Sequence, residues 1–213
     1  MLYPSSPNNQ QFLDLSLSTP SDDPPPTHAP PQQDTLTTAP TRRRRSVNQI
    51  LRPGKSLTIP PPYPWSTTRR ATVHSLQYLQ AKSINTITGR VQCKKCDRKF
   101  SIEYDLHDKF AEVAIFIAKN DDEMHHRAPE AWMNPSLPNC KFCDQNNCAK
   151  PIMSKKRSIN WLFLFLGQMI GVCKLSELKY FCKHTKNHRT GAKNRVLYLT
   201  YMGLCRQLNP APL

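Results

Sequence analysis

Cys93-Lys94-Lys95-Cys96 and Cys140-Lys141-Phe142-Cys143 are the two stretches on which the reading of this chain turns. Two cysteines separated by two residues wrap a turn around one tetrahedral ion at Zn–S distances of about 2.3 Å, and two such turns complete a four-thiolate shell. With all four positions filled by protein the ion would be structural, because a catalytic zinc keeps one position open for water or substrate. The 43 residues between the knuckles are what a helix plus a loop would take. The competing reading is four reduced, half-buried cysteines with no metal.

Working outward, Ile87 to Gln92 and Lys99 to Tyr104 read as two short strands joined by the first knuckle, with Phe100, Ile102 and Tyr104 alternating toward one face. Asp105 caps an amphipathic helix in which Leu106, Phe110, Val113 and Ile117 share a side. Upstream, Ser66-Thr67-Thr68 offers caps for a first helix from Thr68 to Lys82, with Val73, Leu76 and Leu79 inside. Downstream of the second knuckle the pattern predicts three helices, Ile159–Val172, Ser176–His188 and Ala192–Leu208, the last two separated at Gly191.

The chain of 213 residues has 20 Pro, 8 Cys and a net charge of +15, and these averages hide two different polymers. Residues 1–64 hold 14 of the prolines, no cysteine and three of the 18 aromatics, Tyr3, Phe12 and Tyr63. Such a stretch cannot bury enough apolar surface to offset roughly 1–2 kcal/mol of backbone entropy per residue. The expected organisation is therefore a disordered Pro/Ser/Thr-rich tail over residues 1–59 and one zinc-stabilised α+β domain over residues 60–213. Within that domain we expect a small zinc-ribbon-like β-hairpin carrying the four-cysteine site and packed with about five helices.

No basic segment followed by an apolar run opens the chain, and the longest apolar block, Trp161 to Cys173, is shorter than the ~20 residues a span requires. Neither a secretory leader nor a membrane association is expected. Eight cysteines without a leader imply a reducing compartment, where paired cysteines hold metal more often than they form disulfides. Cys148, Cys173 and Cys205 are singletons and read as small buried hydrophobes.

A second constellation is Cys182-Lys183-His184-Thr185-Lys186-Asn187-His188. If the helix runs through it, His184 and His188 lie on one face and, with Cys182, form a possible second metal cluster. Thr185 stands where a zinc protease carries its catalytic Glu, which removes that reaction class. A His-Asn-His type nuclease using His184, Asn187 and His188 with a divalent ion is the enzymatic alternative. The plainer reading is that the cations here complement a helix C-terminus.

From Ser154 to Leu213 there are eleven basic residues and one acid, Glu177, a net of +10. An anionic partner is expected, nucleic acid or an acidic protein, engaged through Lys183, Lys186, Arg189, Lys193 and Arg195. Arg189-Thr190-Gly191-Ala192-Lys193 precedes a helix start, where free amides and cations could hold a phosphate. In the tail, Arg42, Arg43, Arg44 and Arg45 form a run that a nuclear import receptor could read. Leu13, Leu15 and Leu17 alternate, so an extended backbone presents all three on one side as a docking peptide.

Pro61 to Trp65, Arg69 to Leu76, the two knuckles, Asn160 to Leu164 and Phe181 to Lys193 together resemble an uncharacterised family of plant proteins, over roughly residue 60 to the end. The resemblance implies one domain and a plant source, and no reaction. Leu13 to Leu17 also resembles the plant amphiphilic repression motif, which implies a corepressor of the Topless type as partner. The combined expectation is a nuclear, non-enzymatic, zinc-containing regulator of transcription, a repressor rather than an activator. The alternatives are an interaction adaptor that never touches DNA, and the nuclease.

Overall fold

Ile87, Gly89, Val91 and Cys93 are buried while Thr86, Thr88 and Arg90 are exposed, the period-two signature of a strand with one face against a core. That strand, β1 (Thr86–Cys93), pairs antiparallel with β2 (Lys99–Asp105), Ile87 opposite Tyr104 and Val91 opposite Phe100. The computed structural model describes residue 56 and residues 58–153 and 155–210, all within one unit, Gln49–Leu213. The Leu13–Leu17 and Arg42–Arg45 motifs lie outside the described residues.

The expected hairpin is one part of a three-stranded antiparallel sheet of order β2-β1-β3. The third strand, β3 (Ala149–Pro151), runs out of the second knuckle and pairs with Val91–Cys93. The two cysteine turns therefore lie at the same end of one sheet. Gly89 sits under the Phe163 ring, where a Cβ would come within 2.3 Å of ring carbons, so only glycine lets this helix residue press onto the strand.

Six α-helices among the described residues accompany the sheet: α1 (Leu76–Ala81), α2 (Leu106–Met124), α3 (Glu130–Met133), α4 (Trp161–Leu166), α5 (Leu175–His184) and α6 (Lys193–Leu208), with α2 and α4 packed against its strands. Asp105 caps α2 as expected, accepting the amides of His107 and Asp108 at 2.8 and 2.9 Å. All six side chains of α4 are buried. The α6 helix carries nine buried residues, among them Tyr201, which stacks on Trp132 of α3 at 3.8 Å between centroids. Burying each such large side chain is worth about 1.5–3 kcal/mol. No helix among the described residues is long and apolar enough to cross a membrane.

Three sequence expectations need correction. The first helix begins at Leu76, capped by Ser75, and not at Thr68. Residues 66–73 instead fold back on themselves, with Ser66 bridged to Val73 and Ala71 at φ 57°, while the Val73 amide donates to Gln207 Oε1 of α6 at 2.8 Å. The helix expected over Ile159–Val172 stops at Leu166, because Gln168 turns to φ 52° and its side chain accepts the Trp132 indole N–H at 3.1 Å. The helix expected to reach His188 ends at His184, where the Thr185 hydroxyl caps the Phe181 carbonyl at 2.9 Å and Lys186 takes φ 58°.

Candidate metal centre

The two knuckles are copies of one backbone device. The Cys93 amide donates to the Arg98 carbonyl and the Cys140 amide to the Gln145 carbonyl, both at 3.0 Å, so each turn closes over the same number of residues. Asp97 and Asp144, each directly after the second cysteine, take left-handed φ values of 57° and 49°, a conformation that Asp tolerates better than most residues. The signal for this in the sequence is the repeated Cys-Lys-x-Cys-Asp, whose two aspartates occupy the left-handed position.

Main-chain amides converge on the sulfurs. Lys95 and Cys96 donate to Cys93 Sγ at 3.3 and 3.4 Å, and Phe142 donates to Cys140 Sγ at 3.4 Å. Such bonds favour thiolate over thiol, and a metal needs thiolates. The Cys96 amide is the main influence on Cys93, whose pKa is held down to about 6 despite burial. The Gln145 amide pulls the same way on Cys143, but burial and the neighbouring sulfurs outweigh it and push that group up to about 12. Four like charges cannot share this space without a cation to offset them.

The sulfurs of Cys93, Cys96, Cys140 and Cys143 lie within 4.8 Å of one another, and this is the metal-competent cluster among the described residues. Cys93 Sγ is 3.7 Å from Cys143 Sγ, and Cys96 Sγ is 3.6 Å from Cys140 Sγ. A tetrahedron with metal–sulfur bonds of about 2.3 Å has edges of about 3.8 Å. The four cysteines are free thiols, and these two edges already stand close to that separation. They could coordinate one metal ion with no position left open.

Cys148 is not the isolated hydrophobe expected. Its sulfur is 3.6 Å from Cys93 Sγ, yet it donates to the Gln145 carbonyl at 2.9 Å, and burial raises its pKa. It lies beside the group of four whose sulfurs are all within 4.8 Å of one another and is not part of that group. Cys173 and Cys205 are buried, each pushed up to about 12 chiefly by desolvation.

The structure does not gather Cys182, His184 and His188. Cys182 is buried between α5 and α6, its sulfur 3.9 Å from Thr200 Oγ1. His184, whose pKa burial lowers with help from Arg70 and Lys183, lies against Tyr180 at 4.4 Å. His188 is past the helix end, its Nδ1 2.9 Å from Thr190 Oγ1. The face that the two histidines were expected to share is absent because α5 stops between them. Asn187 bridges Thr185 and Arg206 at 2.9 Å each.

Of the expected anion-binding cations, Lys183, Lys186, Arg189 and Arg195 are exposed. Lys193 is half-buried, and its ammonium donates to the Gly171 carbonyl at 2.7 Å, which ties α6 to the turn after α4. The one ion pair among the described residues is Lys109–Glu112, at 2.7 Å.

A small antiparallel sheet ending in four clustered thiols, together with the helices, defines the class: a mixed α+β domain with a four-cysteine cluster that could hold a metal ion. The model of a domain of unknown function, DUF7086, matches residues 76–208, and the chain belongs to that family. No curated protein and no solved structure matches the chain significantly.

Proposed function

We propose that this protein is a non-enzymatic nuclear regulator of transcription, a repressor, built on a zinc-ribbon-like domain that engages nucleic acid through its basic surface. The observation that carries the reading is the closed four-sulfur cage. Its spacing suits zinc, and a site with no open position supports scaffolding rather than chemistry. Exposed Lys183, Lys186, Arg189 and Arg195 at the α5–α6 end supply unneutralised positive charge for phosphates. Leu13, Leu15 and Leu17 as a corepressor-docking peptide, and Arg42–Arg45 as an import signal, enter on sequence alone.

The test is a salt titration of DNA and RNA binding by the zinc-loaded full chain. Each phosphate contact steepens the fall of log affinity with log salt by about 0.7–0.9. Binding at low salt that falls steeply, and that weakens when Lys183, Lys186 and Arg189 become alanine, supports the reading. Absence of binding at low salt favours the adaptor that meets an acidic protein. Repression of a reporter that survives replacement of the three leucines by alanine would sink the recruitment claim.

A further inference from the structure

The metal knuckles face solvent with an aromatic ring and a ring of cations that the reading above does not use. Phe142, between Cys140 and Cys143, is 50% exposed, an unusual position for phenylalanine in a domain whose other phenylalanines are buried or half-buried. It is not loose. Its amide is bonded to Cys140 Sγ, the Phe100 ring lies nearly perpendicular to it at 5.6 Å between centroids, and the Arg98 guanidinium carbon sits over one of its faces, 5.1 Å from its centroid. The cage thus fixes a half-exposed aromatic ring at the end of the sheet that carries the knuckles.

Around it, Lys94, Lys95, Arg98, Lys99, Lys141 and Lys150 are all exposed, against Asp97 and Asp144. Lys99 and Lys150 flank Gln92 in the register of the three strands, so the charge continues from the knuckles onto the open face of the sheet. None of the six is in an ion pair among the described residues. A cage of four thiolates and one divalent ion carries a net of two negative charges, which these cations still exceed together with the two aspartates. Charge of this sign around a fixed, exposed ring suits a chain of phosphates whose bases are free to stack.

We infer that the knuckle end, with Phe142 as its stacking platform, binds single-stranded nucleic acid. Duplex bases already stack on one another and offer Phe142 no face, so the ring selects for the unpaired strand while the lysines and Arg98 hold its phosphates. The inference rests on the nucleic-acid reading above but assigns the contact to a different end of the molecule.

The experiment is fluorescence anisotropy at low salt with the zinc-loaded full chain, using a labelled oligothymidylate and a duplex of equal length. Phe142 is not a ligand, and zinc content of each variant confirms that the cage is intact. Phe142→Ala should weaken single-strand binding about ten-fold and leave duplex binding unchanged. Phe142→Trp should restore the affinity, with indole fluorescence quenched on binding. An unchanged single-strand affinity in Phe142→Ala overturns the inference. If that result is accompanied by loss of binding in the Lys183, Lys186 and Arg189 alanine variant, the wider reading survives without it. No binding of either nucleic acid by the unmodified protein overturns both.

Discussion

Asn160 makes three contacts that decide whether the segment carrying Trp65, the sheet and α4 behave as one body. Its Oδ1 accepts the Trp65 indole N–H at 3.0 Å and the Phe163 amide at 3.3 Å, the latter capping α4, and its Nδ2 donates to the Thr88 carbonyl of β1 at 2.9 Å. Asn160→Ala removes the cap, worth about 1 kcal/mol. It also leaves the indole of Trp65, 5% exposed, and the Thr88 carbonyl without their partner, at about 1 kcal/mol each. The expected loss is about 3 kcal/mol, or about 6–12 °C in Tm for a chain of this size. Asn160→Ser keeps an acceptor for the Phe163 amide and loses the other two bonds, so it should cost about 2 kcal/mol. Urea unfolding of the zinc-loaded protein reads both, as a shift in midpoint at constant slope. A loss below about 0.5 kcal/mol for the alanine variant, or equal losses for both, would refute the reasoning that these bonds couple the three segments.

Cys148→Ser should leave metal stoichiometry unchanged, whereas Cys140→Ser should abolish stable binding, both read by metal analysis after desalting. Metal affinity should fall as pH falls. Binding needs four thiolates, so protons compete with the ion for the sulfurs, and metal-derived stability is present at high pH and lost on acidification. A chromophoric chelator followed through a pH titration checks the sign. Lys193→Met should destabilise the fold by about 1 kcal/mol through loss of its bond to Gly171, and should leave nucleic-acid affinity unchanged, unlike Lys183→Met. Parallel melts and anisotropy titrations separate the two lysines.

The four metal-competent sulfurs were legible because C-x-x-C spacing is itself a geometric constraint, and β1, β2, α2 and α6 because their apolar periods match their burial. What escaped was set by distant partners. β3 is three residues long, Ala-Lys-Pro, and is a strand only because β1 offers an edge beside it. The break after Leu166 depends on Trp132 capturing the Gln168 side chain, and the fold of residues 66–73 on Gln207 in the last helix. Helical spacing placed His184 and His188 together, but Thr185 and Lys186 end the helix locally, and one turn lost separates them. Nothing in the spacing of the second knuckle says which way Phe142 faces. Only the fold shows that the turn holding it points away from the core.

The central claim is that one zinc ion, bound by Cys93, Cys96, Cys140 and Cys143, holds the sheet end together. X-ray absorption at the zinc edge, on protein purified without added metal, tests it most directly. The account predicts one zinc per chain with four sulfur neighbours at about 2.3 Å, and loss of cooperative unfolding once a strong chelator removes it. Metal-free protein that still unfolds cooperatively in the chelator, or a zinc shell containing nitrogen or oxygen, would contradict it.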